Sequence, residues 1–316
     1  MNKKSILSRA INKLYALINL NRSIHEVKAQ NYKIQEELDS IKLLMSKILI
    51  KNNLKNDVNN IQLSEFKVFS QREDDGIIQH IINNIEFKHK TFIEFGVETY
   101  TESNTRFLLI NNNWSGLIID GSNENIDYIK RDQIYWKYDL KAIQCFITRN
   151  NINDIIESSG FNGKTGILSI DIDGNDYWIW EAITVIEPTL VIIEFNAVFN
   201  IDRPITIPYD EKFIRQKAHY SYLYFGASLT ALISLGKSKG YSFIGTNSAG
   251  VNAYFVKNEN IGNFEEKSAN EKFSISKFSE SRDRNNRLNF LSYEDRQKAI
   301  RGMPVYNVET NLLEPF

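Results

Sequence analysis

Short apolar runs alternate with amphipathic stretches along most of the chain. Four of the runs end in an acidic residue, and these residues are Glu94, Asp120, Asp171 and Glu194. Runs rich in β-branched residues between helical stretches are typical of parallel strands that are buried on both faces. The pattern therefore predicts a doubly wound, mostly parallel α/β sheet, closed by an antiparallel pair at 241–245 and 251–256.

The first five predicted strands cover 91–95, 116–120, 134–138, 166–172 and 189–195. Ahead of them, Ser70 and Glu73 have the spacing of a capping box, which predicts a helix from there to about Asn84. The carboxyl ends of parallel strands lie at one edge of a sheet, where open α/β sheets bind ligands. We therefore expect the four acidic residues to share one site.

Residues 1–63 differ from the rest, because they contain no glycine and no proline. Apolar residues recur there at alternating steps of three and four, which predicts a coiled-coil helix. The a positions are Leu17, Ile24, Asn31, Leu38 and Met45, and the d positions are Leu20, Val27, Ile34, Ile41 and Ile48. Isoleucine at d favours three or four strands, whereas Asn31 favours fewer, so the predicted homo-oligomer ranges from dimer to tetramer. The alternative is an amphipathic helix packed on its own domain.

The predicted domains are an N-terminal helix at 1–51, a polar linker at 52–63, a catalytic domain at 64–257 and a C-terminal extension packed on it at 258–316. Residues 3–18 combine an apolar face with basic side chains, which is typical of a helix on an anionic membrane surface. The same residues also fit the frayed start of the coiled coil.

Composition narrows the choice of partner and compartment. The net charge of −1 gives no reason to expect nucleic acid, and no run reaches the roughly 20 apolar residues of a membrane span. The single cysteine, Cys145, excludes an internal disulfide and fits a reducing compartment. We predict a cytoplasmic protein, peripheral at the inner face of the membrane if residues 3–18 bind lipid.

The turn after the first predicted strand indicates the cofactor. A pyrophosphate-binding turn needs several glycines so that backbone amides approach the phosphates, but 94–104 contains only Gly96 among acidic and bulky residues. This argues against NAD, FAD and nucleoside triphosphates, and it favours S-adenosylmethionine, a cationic nucleoside without phosphate. Asp120 is placed to bind the ribose, and Asp139 the adenine amino group, although both also fit helix capping.

The densest acidic cluster follows the fourth predicted strand and faces Glu194 and Asn196 after the fifth. Its acids are Asp171, Asp173 and Asp176. Three readings remain open: Mg²⁺ or Mn²⁺ on Asp171, Glu194 and Asn196, acid–base chemistry by a protonated carboxyl without metal, or a simple turn. His219 is a candidate base or metal partner, against the alternative of a surface histidine.

Six short stretches of the sequence resemble those of the FkbM-type methyltransferases, and the resemblance extends over about 66–257. The resemblance is carried by Ser70-Gln71 with Asp74, Phe92-Ile-Glu94-Phe-Gly96, Glu102-Ser103-Asn104-Thr105, Leu117-Ile-Ile-Asp120-Gly121-Ser122, Ser169-Ile-Asp171-Ile-Asp173-Gly174 and Ile193-Glu194-Phe-Asn196. It implies a class I S-adenosylmethionine-dependent methyltransferase with a seven-stranded sheet, of the kind that O-methylates sugars and often accompanies bacterial surface-polysaccharide genes.

The resemblance also implies roles for individual residues. Glu94 and Gly96 would meet the methionine part of the cofactor and Asp120 its ribose; the wider cofactor set adds Gln71, Ser103, Gly121 and Ser122. One departure stands out, because the second glycine of the usual methyltransferase loop is replaced in Glu98-Thr99-Tyr100.

The predicted function is methyl transfer to an oxygen of a glycan, a sugar or a phosphate-type glycan modification. Asp171 would orient the acceptor, with or without a metal, and Asp173 or His219 would take its proton. One alternative is a catalytically silent methyltransferase-like scaffold that its coiled coil recruits to a glycan-assembly complex. Another is an enzyme that modifies nucleotide sugars, which the missing phosphate cradle disfavours.

Overall fold

The computed structural model of the chain describes residues 3–277 and 280–316, with side chains at 15, 18–277 and 280–316. The chain divides into two compact units, Met1–Ile48 and Leu49–Phe316. The described residues of the first unit, from Lys3 onward, belong to one long helix, and the membrane-surface prediction for 3–18 falls mostly on side chains outside the described residues. Among the described residues, no helix is long and apolar enough to cross a membrane.

Twelve strands lie in the described part of the second unit, and seven of them form the central sheet. In chain order the strands are β1 Thr91–Phe95, β2 Ser115–Asp120, β3 Leu140–Gln144, β4 Gly163–Ile170, β5 Ile186–Glu194, β6 Ile205–Thr206, β7 Tyr241–Thr246, β8 Asn252–Lys257, β9 Ser281–Arg282, β10 Leu288–Asn289, β11 Pro304–Asn307 and β12 Leu312–Pro315. The sheet has the order β3-β2-β1-β4-β5-β8-β7, in which β8 runs antiparallel to both β5 and β7. The predicted fold class, a mostly parallel seven-stranded sheet, is confirmed.

The described helices surround this sheet or precede it. They are α1 Lys3–Asn53, α2 Asp74–Asn84, α3 Arg106–Asn112, α4 Asn123–Arg131, α5 Gln133–Lys137, α6 Ile152–Ser158, α7 Asp176–Ala182, α8 Arg215–Ala218, α9 Leu229–Ser238, α10 Ala269–Lys272 and α11 Tyr293–Ala299. Successive strand residues point to opposite faces, so Ile93 and Leu168 enter one core while Phe92 and Ile167 enter another. This burial on both faces explains the unbroken apolar runs of the sequence.

A third core lies beside the sheet and involves the C-terminal residues. β11 pairs with β12 and with β6, which gives a small three-stranded sheet. Ile205, Leu223, Ile300 and Val305 are fully buried in this core. The loop after β5 is therefore fixed against the end of the chain.

Two local predictions were wrong. Residues predicted as the third strand form α5, because the Asp132 side chain accepts the amide of Ile134 at 2.8 Å and caps a helix there, and β3 follows at Leu140. The helix predicted from Ser70 begins instead at Asp74, after Glu73 in a left-handed conformation (φ 61°). The amide of Ser70 donates to Asp75, which lies inside α2.

Candidate active site

A cavity of about 520 Å³ opens at the carboxyl ends of the central strands. It lies where the strand order reverses between β1 and β4, which is the topological switch point at which open α/β sheets bind ligands. Residues after β1, β2, β3, β4 and β5 all contribute to its wall. The predicted edge of the sheet is therefore the edge that carries the cavity.

The cavity wall is strongly acidic. Eight of its described lining residues are carboxylates, whereas one, Arg215, is a cation; the carboxylates are Glu94, Glu98, Glu102, Asp120, Asp171, Asp173, Glu194 and Glu280. Such a wall repels phosphate and attracts a positively charged ligand. Gln71, Gly96, Ser103 and Gly121, which were also predicted to bind the cofactor, line the same cavity.

Glu94 is buried and holds the loop that leads into α3. Its Oε2 accepts the hydroxyl of Ser103 at 2.7 Å and both the amide and the hydroxyl of Thr105 at 3.1 and 2.5 Å. Its Oε1 accepts the amide of Asn104 at 2.9 Å. Burial raises the pKa of Glu94, and these hydrogen bonds oppose that rise. The side chain therefore acts first as an anchor for the cavity wall.

Asp120 connects the turn after β1 to the helix after β2. Its Oδ2 accepts the amide of Glu98 at 2.8 Å, and its Oδ1 accepts the amide of Ser122 at 2.8 Å and the side chain of Asn125 at 3.0 Å. A carboxylate has about four acceptor sites, so one remains for a ligand. The Ser122 side chain caps α4 through the amide of Asn125 and does not line the cavity.

Three residues of the turn after β1 have the left-handed backbone conformation that favours glycine, but only one of them is glycine. Gly96, Glu98 and Tyr100 have φ angles of 71°, 49° and 59°. A Cβ on Gly96 would lie 1.7 Å from the carbonyl oxygen of Asp171, so only glycine lets this turn approach β4 so closely. Left-handed conformations at non-glycine residues cost roughly 1–2 kcal/mol each, and such strain clusters at functional sites.

Three carboxylates converge beside the ends of β4 and β5. One oxygen from each of Asp171, Asp176 and Glu194 lies within 4.8 Å of the others. Burial, followed by repulsion from neighbouring acids, raises the pKa of Asp171 and of Glu194 well above the ordinary range. Burial also raises the pKa of Asp176 to about 6. Two buried carboxylates at this separation repel each other, which favours a state in which one of them holds a proton.

Arg215 brings positive charge to this acidic cluster. Its Nη1 contacts the Oδ1 of Asp173 at 2.5 Å, and its Nε donates to the carbonyl of Tyr222 at 2.7 Å. The guanidinium also stacks over the ring of Phe225, with 3.7 Å to the ring centroid. Asp173 is therefore held by an ion pair at the cavity wall.

Besides Ser122, three predicted site residues lie elsewhere or are otherwise engaged. Asp139 precedes β3 and lines a different cavity, together with Thr91 and Ser115 at the amino ends of β1 and β2, because the third strand starts later than predicted. His219 does not line the active-site cavity; its Nδ1 contacts the hydroxyl of Ser221 at 2.7 Å.

Asn196 is the third of these residues. Its Nδ2 donates to the carbonyls of Leu223 and Phe225, each at 2.9 Å, and its Oδ1 accepts the amide of Val198 at 3.0 Å. The side chain is buried and ties two loops together. The Asn196 amide is therefore engaged at both ends, and the third carboxylate near Asp171 and Glu194 is that of Asp176.

The structure brings into the site residues that were not among the predicted site residues. Asn175 and Asp176 lie in the acidic stretch after β4, and that position was the available signal. Arg215 begins the short helix α8, whose place no sequence pattern fixes. The Oε2 of Glu194 and the Oδ1 of Asn175 are buried at this site without a hydrogen-bond partner, although buried oxygens normally have one.

The chain has remote structural likenesses among known proteins. No protein-family model matches this chain, and no curated protein matches it. The N-terminal domain of EvdMO1 with SAH bound is 7% identical, covering 60% of this chain and 81% of that chain with a TM-score of 0.38. A S-adenosylmethionine-dependent methyltransferase from Clostridium acetobutylicum is 10% identical (58% and 89% covered, TM-score 0.38), and an O-methyltransferase from Bacillus cereus in complex with SAH is 12% identical (66% and 90%, TM-score 0.38).

Proposed function

We propose that this chain is an S-adenosylmethionine-dependent O-methyltransferase. The observation that carries the proposal is the charge of the switch-point cavity, whose wall combines eight carboxylates with one guanidinium. A nucleoside with an ammonium and a sulfonium group and no phosphate matches that charge. The cavity volume of about 520 Å³ lies in the usual range for small-molecule sites, roughly 300–1,000 Å³.

The residues around the cavity fit the parts of this cofactor. Asp120 keeps one acceptor site, which suits a ribose hydroxyl at the end of β2. Gly96 holds the turn against β4, and Glu98 presents its carboxylate beside it, where a methionine ammonium would be favoured. Phe146 lines the cavity after β3 and offers an aromatic face for the adenine.

The acid pair of Asp171 and Glu194 supplies a base for the acceptor. When bound, the cofactor provides a methyl group on a positively charged sulfur. In this proposal one of the two side chains holds a proton and the other, ionised, takes the proton of the acceptor hydroxyl. We assign the removal of this proton to the carboxylate of Glu194, which lines the cavity. Most of the remaining rate enhancement would come from holding the acceptor in line with the methyl carbon.

A divalent metal is a second route for the same reaction. The three converging oxygens of Asp171, Asp176 and Glu194 favour it. Against it, the oxygens of Asp176 already accept the amides of Ile172 and Gly174, and Arg215 already offsets acidic charge. We expect turnover to be unchanged in EDTA. Loss of activity that Mg²⁺ or Mn²⁺ restores would replace the proton-sharing pair by a metal centre.

The proposed acceptor is an oxygen of a glycan, a sugar or a phosphate-type glycan modification. This part rests on the resemblance to FkbM-type methyltransferases. The cavity mouth supports it with Tyr222 and Glu280 in the wall and with Arg282 stacked over the Tyr222 ring at 5.2 Å. Aromatic rings and charged side chains are common partners of sugar rings and anionic substituents.

A catalytically silent scaffold is the competing proposal, and the side chains at Glu98 and Tyr100 favour it. Calorimetry with S-adenosylhomocysteine separates the two. We expect the full-length chain to bind S-adenosylmethionine and S-adenosylhomocysteine but neither ATP nor NAD. Asp120→Asn removes the charged ribose acceptor and should weaken binding about 10-fold to 100-fold. Asp127→Asn, on the exposed face of α4, is the matched control. Absence of binding by the wild-type chain would favour the scaffold.

A further inference from the structure

The apolar seam of α1 is exposed along its whole described length. We define the seam as the a and d positions Leu20, Ile24, Val27, Asn31, Ile34, Leu38, Ile41, Met45 and Ile48. The eight apolar side chains of this set are between 42% and 57% exposed. They recur without interruption on one continuous helix. A stripe of this length with this period is typical of a helix that packs against another helix.

We infer that the seam pairs with the same seam of a second copy of this chain, in parallel and in register. This inference is independent of the proposed methyl transfer. The first argument is the position of Asn31, the one polar residue in the seam. In a parallel, in-register pair, Asn31 meets the second copy's Asn31, and the two amides can hydrogen-bond inside an apolar layer.

Other arrangements lack that match. In an antiparallel pair, a positions face d positions, and every d position of the described seam is apolar. Asn31 would then be buried without a polar partner, which costs stability. A partner of different sequence would need its own polar residue at this one layer. A second copy supplies it automatically.

The flanks of the seam carry the second argument. Glu37 occupies a g position and Lys42 the following e position, and both are exposed. In a parallel pair, each g residue lies beside the next e residue of the partner, so Glu37 faces the second copy's Lys42 on both sides. Gln30 and Gln35 occupy the preceding g and e positions and can hydrogen-bond in the same way. Opposite charges therefore meet twice, and like charges do not.

The molar mass of the full-length chain in solution tests the inference. Light scattering coupled to size-exclusion chromatography should give two to four copies at micromolar concentration. Ile34→Glu combined with Ile41→Glu should give monomers. Ala29→Glu combined with Ser40→Glu adds the same charge on the outer face of the helix and should leave the mass unchanged. A monomeric wild-type chain, or equal masses for the two variants, would overturn the inference.

Disulfide formation tests the orientation. In a Cys145→Ser background, Val27→Cys should form a cross-link between copies under mild oxidation, because in-register parallel helices place the two d positions side by side. Ala29→Cys, on the outer face, is the control and should cross-link far less. An oligomer in which Val27→Cys cross-links no faster than the control would rule out the parallel arrangement.

Discussion

Two pairs of carboxylates end strands at the same edge of one sheet, yet their surroundings differ. Glu94 in β1 and Asp120 at the end of β2 accept seven hydrogen bonds between them from the following loops and from Asn125 of α4. Asp171 and Glu194, at β4 and β5, face each other and leave one buried oxygen without a partner. The comparison separates acids that build the wall of a cavity from acids that have capacity left for chemistry.

The largest expected effect comes from the pair with spare capacity. Asp171→Asn replaces one carboxylate of the pair by an amide that cannot exchange a proton with Glu194 or the acceptor. Turnover should therefore fall by at least about 100-fold. Binding of S-adenosylhomocysteine should stay close to that of the wild type. Methyl uptake by an accepted glycan or nucleotide sugar, together with calorimetry, measures both. Asp154→Asn, exposed on α6, is the control, and wild-type turnover in Asp171→Asn would remove the pair from the mechanism.

Substitution in the first pair, Glu94 and Asp120, should lower the stability of the folded protein. Glu94→Gln leaves the amide of Thr105 facing an amide nitrogen or an uncharged acceptor, which should lower the free energy of unfolding by about 1–3 kcal/mol. Denaturant unfolding measures this loss. Glu157→Gln, on the exposed face of α6, should change it by less than about 0.5 kcal/mol. Equal stability of the two variants would contradict the anchoring role.

Asp74 extends the comparison to an acid that is fully buried away from the cavity wall. Burial raises its pKa from 3.8 to about 7, despite hydrogen bonds from Tyr254 and Asn247. The folded state therefore keeps a proton that the unfolded chain loses near pH 3.8. This contribution to stability is complete below pH 3.8 and is lost as the pH rises to 7.

The corresponding measurement is unfolding as a function of pH. Between pH 4 and 7, roughly 1.4 kcal/mol per pH unit of the decline in stability should come from Asp74. Asp74→Asn mimics the protonated side chain and should flatten the decline. Parallel curves for the variant and the wild type would show that Asp74 is ionised in the folded protein.

The smallest expected effect concerns the strained turn. Glu98→Gly and Glu98→Ala both remove the carboxylate, but alanine keeps the side-chain cost of the left-handed backbone. The glycine variant should be more stable than the alanine variant by about 1 kcal/mol. Denaturant unfolding measures the difference. An alanine variant of equal or greater stability would mean that the turn carries no strain at residue 98.

Sequence reasoning succeeded where strand periodicity sets position. The apolar runs that end at Glu94, Asp120, Asp171 and Glu194 do end strands of the sheet, and all four side chains line one cavity. Each strand end was readable from its own residues, because the burial pattern is local. Whether these residues bind a cofactor stays a prediction.

Sequence reasoning failed where short segments or long-range packing decide. The stretch at 134–138 is apolar enough for a strand, and only the cap at Asp132 marks it as helix. Asp139 was therefore predicted to follow the third strand, whereas it precedes β3. Asn196 and His219 were predicted to lie at the site because they follow the fifth strand along the chain. Their hydrogen-bond partners are set by the packing of the loops between 197 and 225. Arg215 depends on the same loop packing, so its ion pair with Asp173 has no sequence signature.

Gly96 sits where the carbonyl of Asp171 leaves no room for a methyl group. Two residues further on, the same turn carries glutamate, whose side chain lines the cavity. A saturation library of 96, 98 and 100 selected for soluble expression should thus return a single amino acid at the first position and a mixture at the second. Because no Cβ fits beside that carbonyl oxygen, every codon accepted at position 96 should encode glycine.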